Sequence, residues 1–145
     1  MNIISKEIHR IRYVSSVLNN TLNCEILLLF LEINNSWYKV SSCDGISEIS
    51  LEEKEPQDEG WEYENDVFSY PVKDFNKFNL PSLGKLVKIE EYLYKGLKDE
   101  SCGFLFTFDS NKMISVKEID DCLFVDLEEE LKPFNECILV EYKSY

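Results

Sequence analysis

Residues 102–121 read CGFLFTFDSNKMISVKEIDD: an alternating apolar run, four polar residues, and a second alternating run. Successive strand side chains point to opposite faces, so Phe104, Phe106 and Phe108 share one face and Leu105 and Thr107 the other. Ile114 and Val116 take the inward places on the partner strand. With Asp109-Ser110-Asn111-Lys112 as the turn, the stretch predicts a β-hairpin.

The same order of parts occurs upstream. Residues 24–33 read CEILLLFLEI, a turn follows at Asn34-Asn35-Ser36, and residues 37–45 read WYKVSSCDG. Each set follows a further apolar run and a polar break: IHRIRYVSSVL (8–18) before NNTLN, and LVKIEEYLYKGL (86–97) before KDES. Laying residue i on i+78 sets Ile8 on Leu86, Ile11 on Ile89, Cys24 on Cys102, Ile26 on Phe104 and Phe30 on Phe108. A two-residue deletion at the turn then sets Trp37 on Met113, Val40 on Val116, Asp44 on Asp120 and Ile49 on Val125. The chain therefore reads as one domain, residues 1–145, with similar halves at about 8–55 and 86–131, each a meander of about four strands. Any two amphipathic meanders align comparably with one gap, so chance similarity is the competing account.

Composition agrees with sheet. The 145 residues include no alanine, the strongest helix former, while β-branched and aromatic residues abound. Helical spacing competes in two places: Ile4, Ile8, Ile11, Val14 and Leu18 recur every three or four residues, as do Leu86, Ile89, Leu93 and Leu97. Strand is preferred for both. Phe75 and Phe78, after Pro71, suggest one short helical turn, and Pro81, Ser82 and Gly84 mark the joint between halves. The expected fold is mainly β, or α+β: an antiparallel sheet built from two β-meander halves, sandwich or barrel-like, with at most one or two short helices.

Lys and Arg number 15 against 28 Asp and Glu, a net charge of -13. That excess argues against direct binding to nucleic-acid backbones or anionic lipid and favours a basic partner. All of it lies in two segments. Residues 52–66 carry eight acids against Lys54, residues 118–130 carry seven acids and no base, and the remainder holds 13 acids and 14 bases. A charged solvated edge is the simplest account of such runs. The first segment also interleaves aromatics with acids in EGWEYENDVFSY, a pattern suited to anchors inside a charged rim. The candidate partner-binding residues are therefore Glu55, Asp58, Glu59, Trp61, Glu62, Tyr63, Glu64 and Asp66, with Asp120 and Asp121 as second choices.

No catalytic or cofactor signature is found. The five glycines are isolated, so no phosphate cradle forms, and His9, the only histidine, has no neighbouring cysteine for a zinc site. No cofactor, metal or enzymatic activity is expected. The longest apolar run, Ile26 to Leu31, is too short to span a membrane as a helix, and charges interrupt the N-terminal region. Five widely spaced cysteines without a Cys-x-x-Cys pair read as reduced thiols packed as small hydrophobes, and the expected location is cytoplasmic.

In style, CEILLLFLEINNSWYKVSSCDG and CGFLFTFDSNKMISVKEIDD resemble the small acidic immunity proteins of bacterial polymorphic toxin and contact-dependent growth inhibition systems. That resemblance implies a non-enzymatic cytoplasmic inhibitor binding one cognate toxin domain, often a basic nuclease, in a 1:1 complex. Two alternatives stay open. One is a nucleic-acid mimic that inhibits restriction or CRISPR nucleases. The other is a small β-barrel ligand carrier or enzyme, which requires a concave, partly apolar cavity.

Overall fold

The computed structural model describes residues 2–58, 68–97 and 99–142. They form β1 (Ile8–Leu18), β2 (Thr21–Ile33), β3 (Ser36–Cys43), β4 (Ile46–Glu52), β5 (Phe68–Ser69), β6 (Val72–Asp74), β7 (Leu86–Tyr94), β8 (Ser101–Phe108), β9 (Met113–Ile119), β10 (Cys122–Glu128) and β11 (Cys137–Glu141). All pairings are antiparallel. One sheet runs β4-β3-β2-β1-β5, with β6 also on β1, and the other runs β10-β9-β8-β7-β11. The sheets do not close into a barrel; the fold is a β sandwich.

Turn chemistry sets the hairpins. Asn19-Asn20, Asn34-Asn35, Asp44-Gly45 and Asp120-Asp121 all hold positive φ at both positions, the two-residue turn whose twist matches the flanking strands. Asn and Asp tolerate that region because their short polar side chains bond locally. The β8–β9 connection instead closes with Phe108 N donating to Lys112 O at 3.0 Å, and Asn111 supplies the positive φ.

One core fills the space between the sheets. Leu29, Leu31, Ile33, Val40 and Ile49 meet Phe104, Phe106, Phe108, Ile114 and Val116 there, while Leu105 faces outward with Tyr92 and Met113. The alternation read from residues 102–116 is the alternation observed. The helical spacing at the starts of β1 and β7 has a specific cause. The β1–β2 register shifts between Ile8 and Arg10, and the β7–β8 register shifts between Leu86 and Lys88. Each bulge adds a residue, so Ile8 and Ile11, three apart, both point inward, as do Leu86 and Ile89. The bulges stand at matching places in the two sheets.

Pairing corrects the alignment of the halves. Ile11 pairs with Leu31 and Ile89 with Phe106, so β2 matches β8 at an offset of 75, not 78. Leu29, Leu31 and Ile33 correspond to Phe104, Phe106 and Phe108, and Cys24 does not correspond to Cys102. An odd slip exchanges faces: Phe30, aligned by sequence with inward Phe108, lies on the outer face of its sheet. The offset of 76 holds for β3 with β9 and for β4 with β10, where Val40 and Ile49 pair as Val116 and Val125 do. The expected helical turn at Phe75 and Phe78 is also corrected. Phe75 N donates to Ile11 O at 2.9 Å, beside β1, and the single 3-10 turn among the described residues is Leu80–Ser82.

A further correction concerns the thiols. Cys24 and Cys122 form a disulfide, Cα–Cα 5.9 Å, that ties β2 to β10 across the sandwich. The reading of all five cysteines as reduced fails, and with it the support that cysteine usage lent to a cytoplasmic location. No helix among the described residues is long and apolar enough to cross a membrane.

Gly103 in β8 has φ 140, and a Cβ there would collide with the Val116 carbonyl oxygen of β9. Gly103→Ala should cost about 2–4 kcal/mol from strain and overlap together. Urea unfolding with a midpoint unchanged from wild type would refute this.

Candidate functional site

The β3–β4 and β9–β10 turns meet at one end of the sandwich. Asp44 and Asp121 occupy these turns because the turns require positive φ, and their carboxylates and the Cys43 thiol lie within 4.8 Å of one another. Glu100 joins them: Ser101 N donates to Gly45 O at 2.8 Å, and a Cβ at Gly45 would stand 3.4 Å from Glu100 Cγ. Glu118 accepts a hydrogen bond from Asp121 N at 2.8 Å, and Asp120 is the other residue of that turn. Among the described residues these five carboxylates form no ion pair, although carboxylates elsewhere do. Ile46, 69% exposed, and Ile119, 42% exposed, flank the same turns.

The charge is felt at Cys43. Partial desolvation raises its thiol pKa, followed by the hydrogen bond to Asp44 and the charges of Asp44, Asp121 and Glu118. Only the thiolate attacks alkylating reagents. Asp121→Asn should therefore speed iodoacetamide labelling of Cys43 at fixed pH, and an unchanged rate would show that the carboxylate does not act on the thiol. The Cys43, Asp44 and Asp121 donors are mutually close enough to share a cation, but all are open to solvent, where acidic groups commonly cluster without one.

The first acidic segment behaves differently. Glu55 pairs with Arg10 at 2.9 Å and with Arg12 at 3.8 Å, and Arg12 also reaches Asp74 at 3.0 Å and donates to Pro56 O. Asp58 accepts a hydrogen bond from Val72 N. Glu55 and Asp58 thus hold residues 55–58 against β1 and β6. The remaining candidates of this segment, Glu59, Trp61, Glu62, Tyr63, Glu64 and Asp66, lie outside the described residues.

Between this segment and the sheet runs a groove of about 630 Å³, lined by Val14, Leu28, Phe30, Tyr70 and Val72. Lys39 and Glu52, ion-paired at 3.6 Å, stand at its rim. It lies on the outer face of the β1–β4 sheet, whereas the interior between the sheets is packed with side chains. Comparison with protein-family models, curated proteins and solved structures finds no match.

Sequence reasoning chose Asp120 and Asp121 on charge but missed Asp44, Glu100, Ile46 and Ile119. Only the equivalence of the two turns, Asp44-Gly45 with Asp120-Asp121, was available to link the first pair. Glu100 joins through a loop whose approach no local pattern encodes.

Proposed function

We propose that this protein is a non-enzymatic immunity protein that binds one cognate bacterial toxin domain, a basic nuclease, and blocks its active site. The observation that carries this reading is the gathering of Asp44, Glu100, Glu118, Asp120 and Asp121 at one end, none of them in an ion pair among the described residues. Carboxylates left unpaired accelerate encounter with a Lys- and Arg-rich cleft and compete there with phosphate. Ile46 and Ile119 add apolar contact inside the acidic rim. Protection inside a cell calls for nanomolar affinity or better, about 12 kcal/mol, in a 1:1 complex without cofactor. The proposed site of action is the cytoplasm, a reducing compartment, so binding is to be assayed with Cys24 and Cys122 both bonded and reduced.

The test is co-expression with the polypeptide encoded immediately upstream, then copurification and affinity measurement. Relief of toxicity by this chain, with a stable complex, supports the reading; a harmless upstream product and no complex overturn it. Asp44→Asn, Asp120→Asn and Asp121→Asn together keep residues that tolerate positive φ while removing three charges. That variant should lose about 10- to 100-fold in affinity, chiefly through a slower on-rate. Full affinity would exclude this end of the sandwich and turn the search to Glu59, Glu62 and Glu64, for which exchange to Lys is the matching experiment. The same carboxylates also suit nucleic-acid mimicry, which predicts binding that falls steeply with salt and is indifferent to Ile46→Ser.

A further inference from the structure

An edge strand is a template for a further strand unless something blunts it. On β4, Ile49 N donates to the Tyr142 hydroxyl at 3.2 Å. On β6, the outward amide of Val72 is capped by Asp58. β11 holds the place in the second sheet that β6 holds in the first: Phe75 N donates to Ile11 O, and Tyr142 N donates to the equivalent Ile89 O. Leu139 therefore corresponds to Val72, but no carboxylate caps it among the described residues. Residues 137–141 read CILVE, without proline or lysine, and pair with β7 without a register shift.

The free groups of β11 follow from the ladder. Lys95 N donates to Glu136 O and Tyr142 N to Ile89 O, so residues 136, 138, 140 and 142 bond toward β7. Cys137, Leu139 and Glu141 turn their backbone groups outward. Cys137 N donates to Phe134 O, whereas Leu139 N and Glu141 N have no hydrogen-bond acceptor among the described residues. Leu139 packs on the outer face, while Ile138 and Val140, on the other face, are 46% and 40% exposed. The edge is thus both open and apolar.

We propose that β11 is a self-association edge: two copies pair β11 antiparallel about a two-fold axis at Leu139, joining two five-stranded sheets into one. In that register Leu139 N–H and C=O bond to the partner's Leu139, and Glu141 N–H bonds to the partner's Cys137 carbonyl. Ile138 stands beside the partner's Val140, an apolar pair on the exposed face. Glu141 stands opposite the partner's Cys137 and Glu136 opposite the partner's Tyr142, so no like charges oppose. The same operation on the β10 edge, centred at Val125, sets Asp121 against the partner's Glu129 and Asp120 against the partner's Glu130, which like-charge repulsion opposes. Charge therefore selects β11. The proposal stands apart from toxin binding, because antiparallel pairing points the two acidic ends in opposite directions and covers neither.

The experiment uses the whole chain carrying Cys43→Ser, so that the exposed thiol cannot crosslink copies. Salt at about 0.5 M screens the net charge of -13 that each copy carries. Sedimentation equilibrium up to about 1 mM protein should show monomer passing to dimer and nothing larger, since a two-fold contact closes on itself. Over the same range, amide exchange at Leu139 and Glu141 should slow by more than about tenfold, while Ile138 and Val140, bonded to β7, stay slow throughout. Leu139→Pro removes an outward N–H and no bond to β7. Ile138→Lys leaves every backbone group in place and puts an ammonium on the exposed face of the edge. Each should weaken the dimer by more than about tenfold, and Ile138→Lys decides the matter if Leu139→Pro does not fold. A chain that stays monomeric throughout overturns the proposal, as does a dimer whose affinity Ile138→Lys leaves unchanged. Exchange at Leu139 and Glu141 that slows only when the polypeptide encoded upstream is added gives this edge to that partner and overturns it too.

Discussion

Lys117→Met should lower the free energy of unfolding by about 3–5 kcal/mol, the cost of leaving a buried carboxylate without its counter-charge. Lys117 Nζ lies 3.3 Å from Glu128 Oε1, and the two side chains are 12% and 4% exposed. Ser115 Oγ donates to the same oxygen at 3.3 Å, while Glu128 Oε2 is buried with no hydrogen-bond partner among the described residues. The ammonium also sits 4.9 Å from the Phe134 ring centroid and 5.8 Å from that of Tyr92, so its loss removes packing as well as charge. Tyr92 feels the same setting: burial, then the Glu128 charge, hold its hydroxyl far above the ordinary tyrosine value. Replacing both partners, Lys117→Met with Glu128→Leu, removes the stranded charge and should recover most of the loss, because a well-packed apolar pair is often as stable as a buried ion pair. Urea unfolding of both single variants and the double variant, followed by tryptophan fluorescence, measures the coupling. A Lys117→Met cost below about 1 kcal/mol would mean that the pair behaves as an exposed one.

Removing the Cys24–Cys122 disulfide, by Cys24→Ser with Cys122→Ser or by reduction, should cost about 2–4 kcal/mol. The bond closes a sequence separation of 98 residues and joins strands from opposite sheets, so its loss restores long-range freedom to the unfolded chain. Its effect should appear as a lower urea midpoint in reductant for the wild type and none for the double variant. Equal midpoints for the wild type with and without reductant would show that the bond does not restrain the unfolded chain. The same comparison bears on the proposed function, which requires the binding surface to hold without this bond in a reducing compartment.

Certain features were legible because they are local. Phe104, Phe106 and Phe108 declare a strand through period two, and Asn34-Asn35 declare a turn through their tolerance of positive φ. Other features misled for a physical reason. Ile8 and Ile11 imitate a helix because a bulge inserts a residue between two inward positions. The 78-residue alignment failed in β2 because its hydrophobic residues suit either face: Phe30 is buried outside as Leu31 is inside. Alternation cannot choose a register when neither face is polar.

For the candidate site, counting acids located the charge but not its availability. Glu55 and Asp58 are engaged by Arg10, Arg12 and the Val72 amide, and Glu128 is buried against Lys117. Asp120 and Asp121 carried the right sign, yet their place beside Asp44 and Glu100 depends on how two distant hairpins stack.

By itself the sequence determined the strands of the two meanders, the turns at Asn34-Asn35 and after Phe108, and the sign of the net charge, because propensity, period and charge act over a few residues. Tertiary structure alone decided which sheet face each strand buries, which carboxylates are neutralised, and which sulfurs meet. Those outcomes depend on register and on the stacking of two sheets, which bring together residues separated by up to 98 positions.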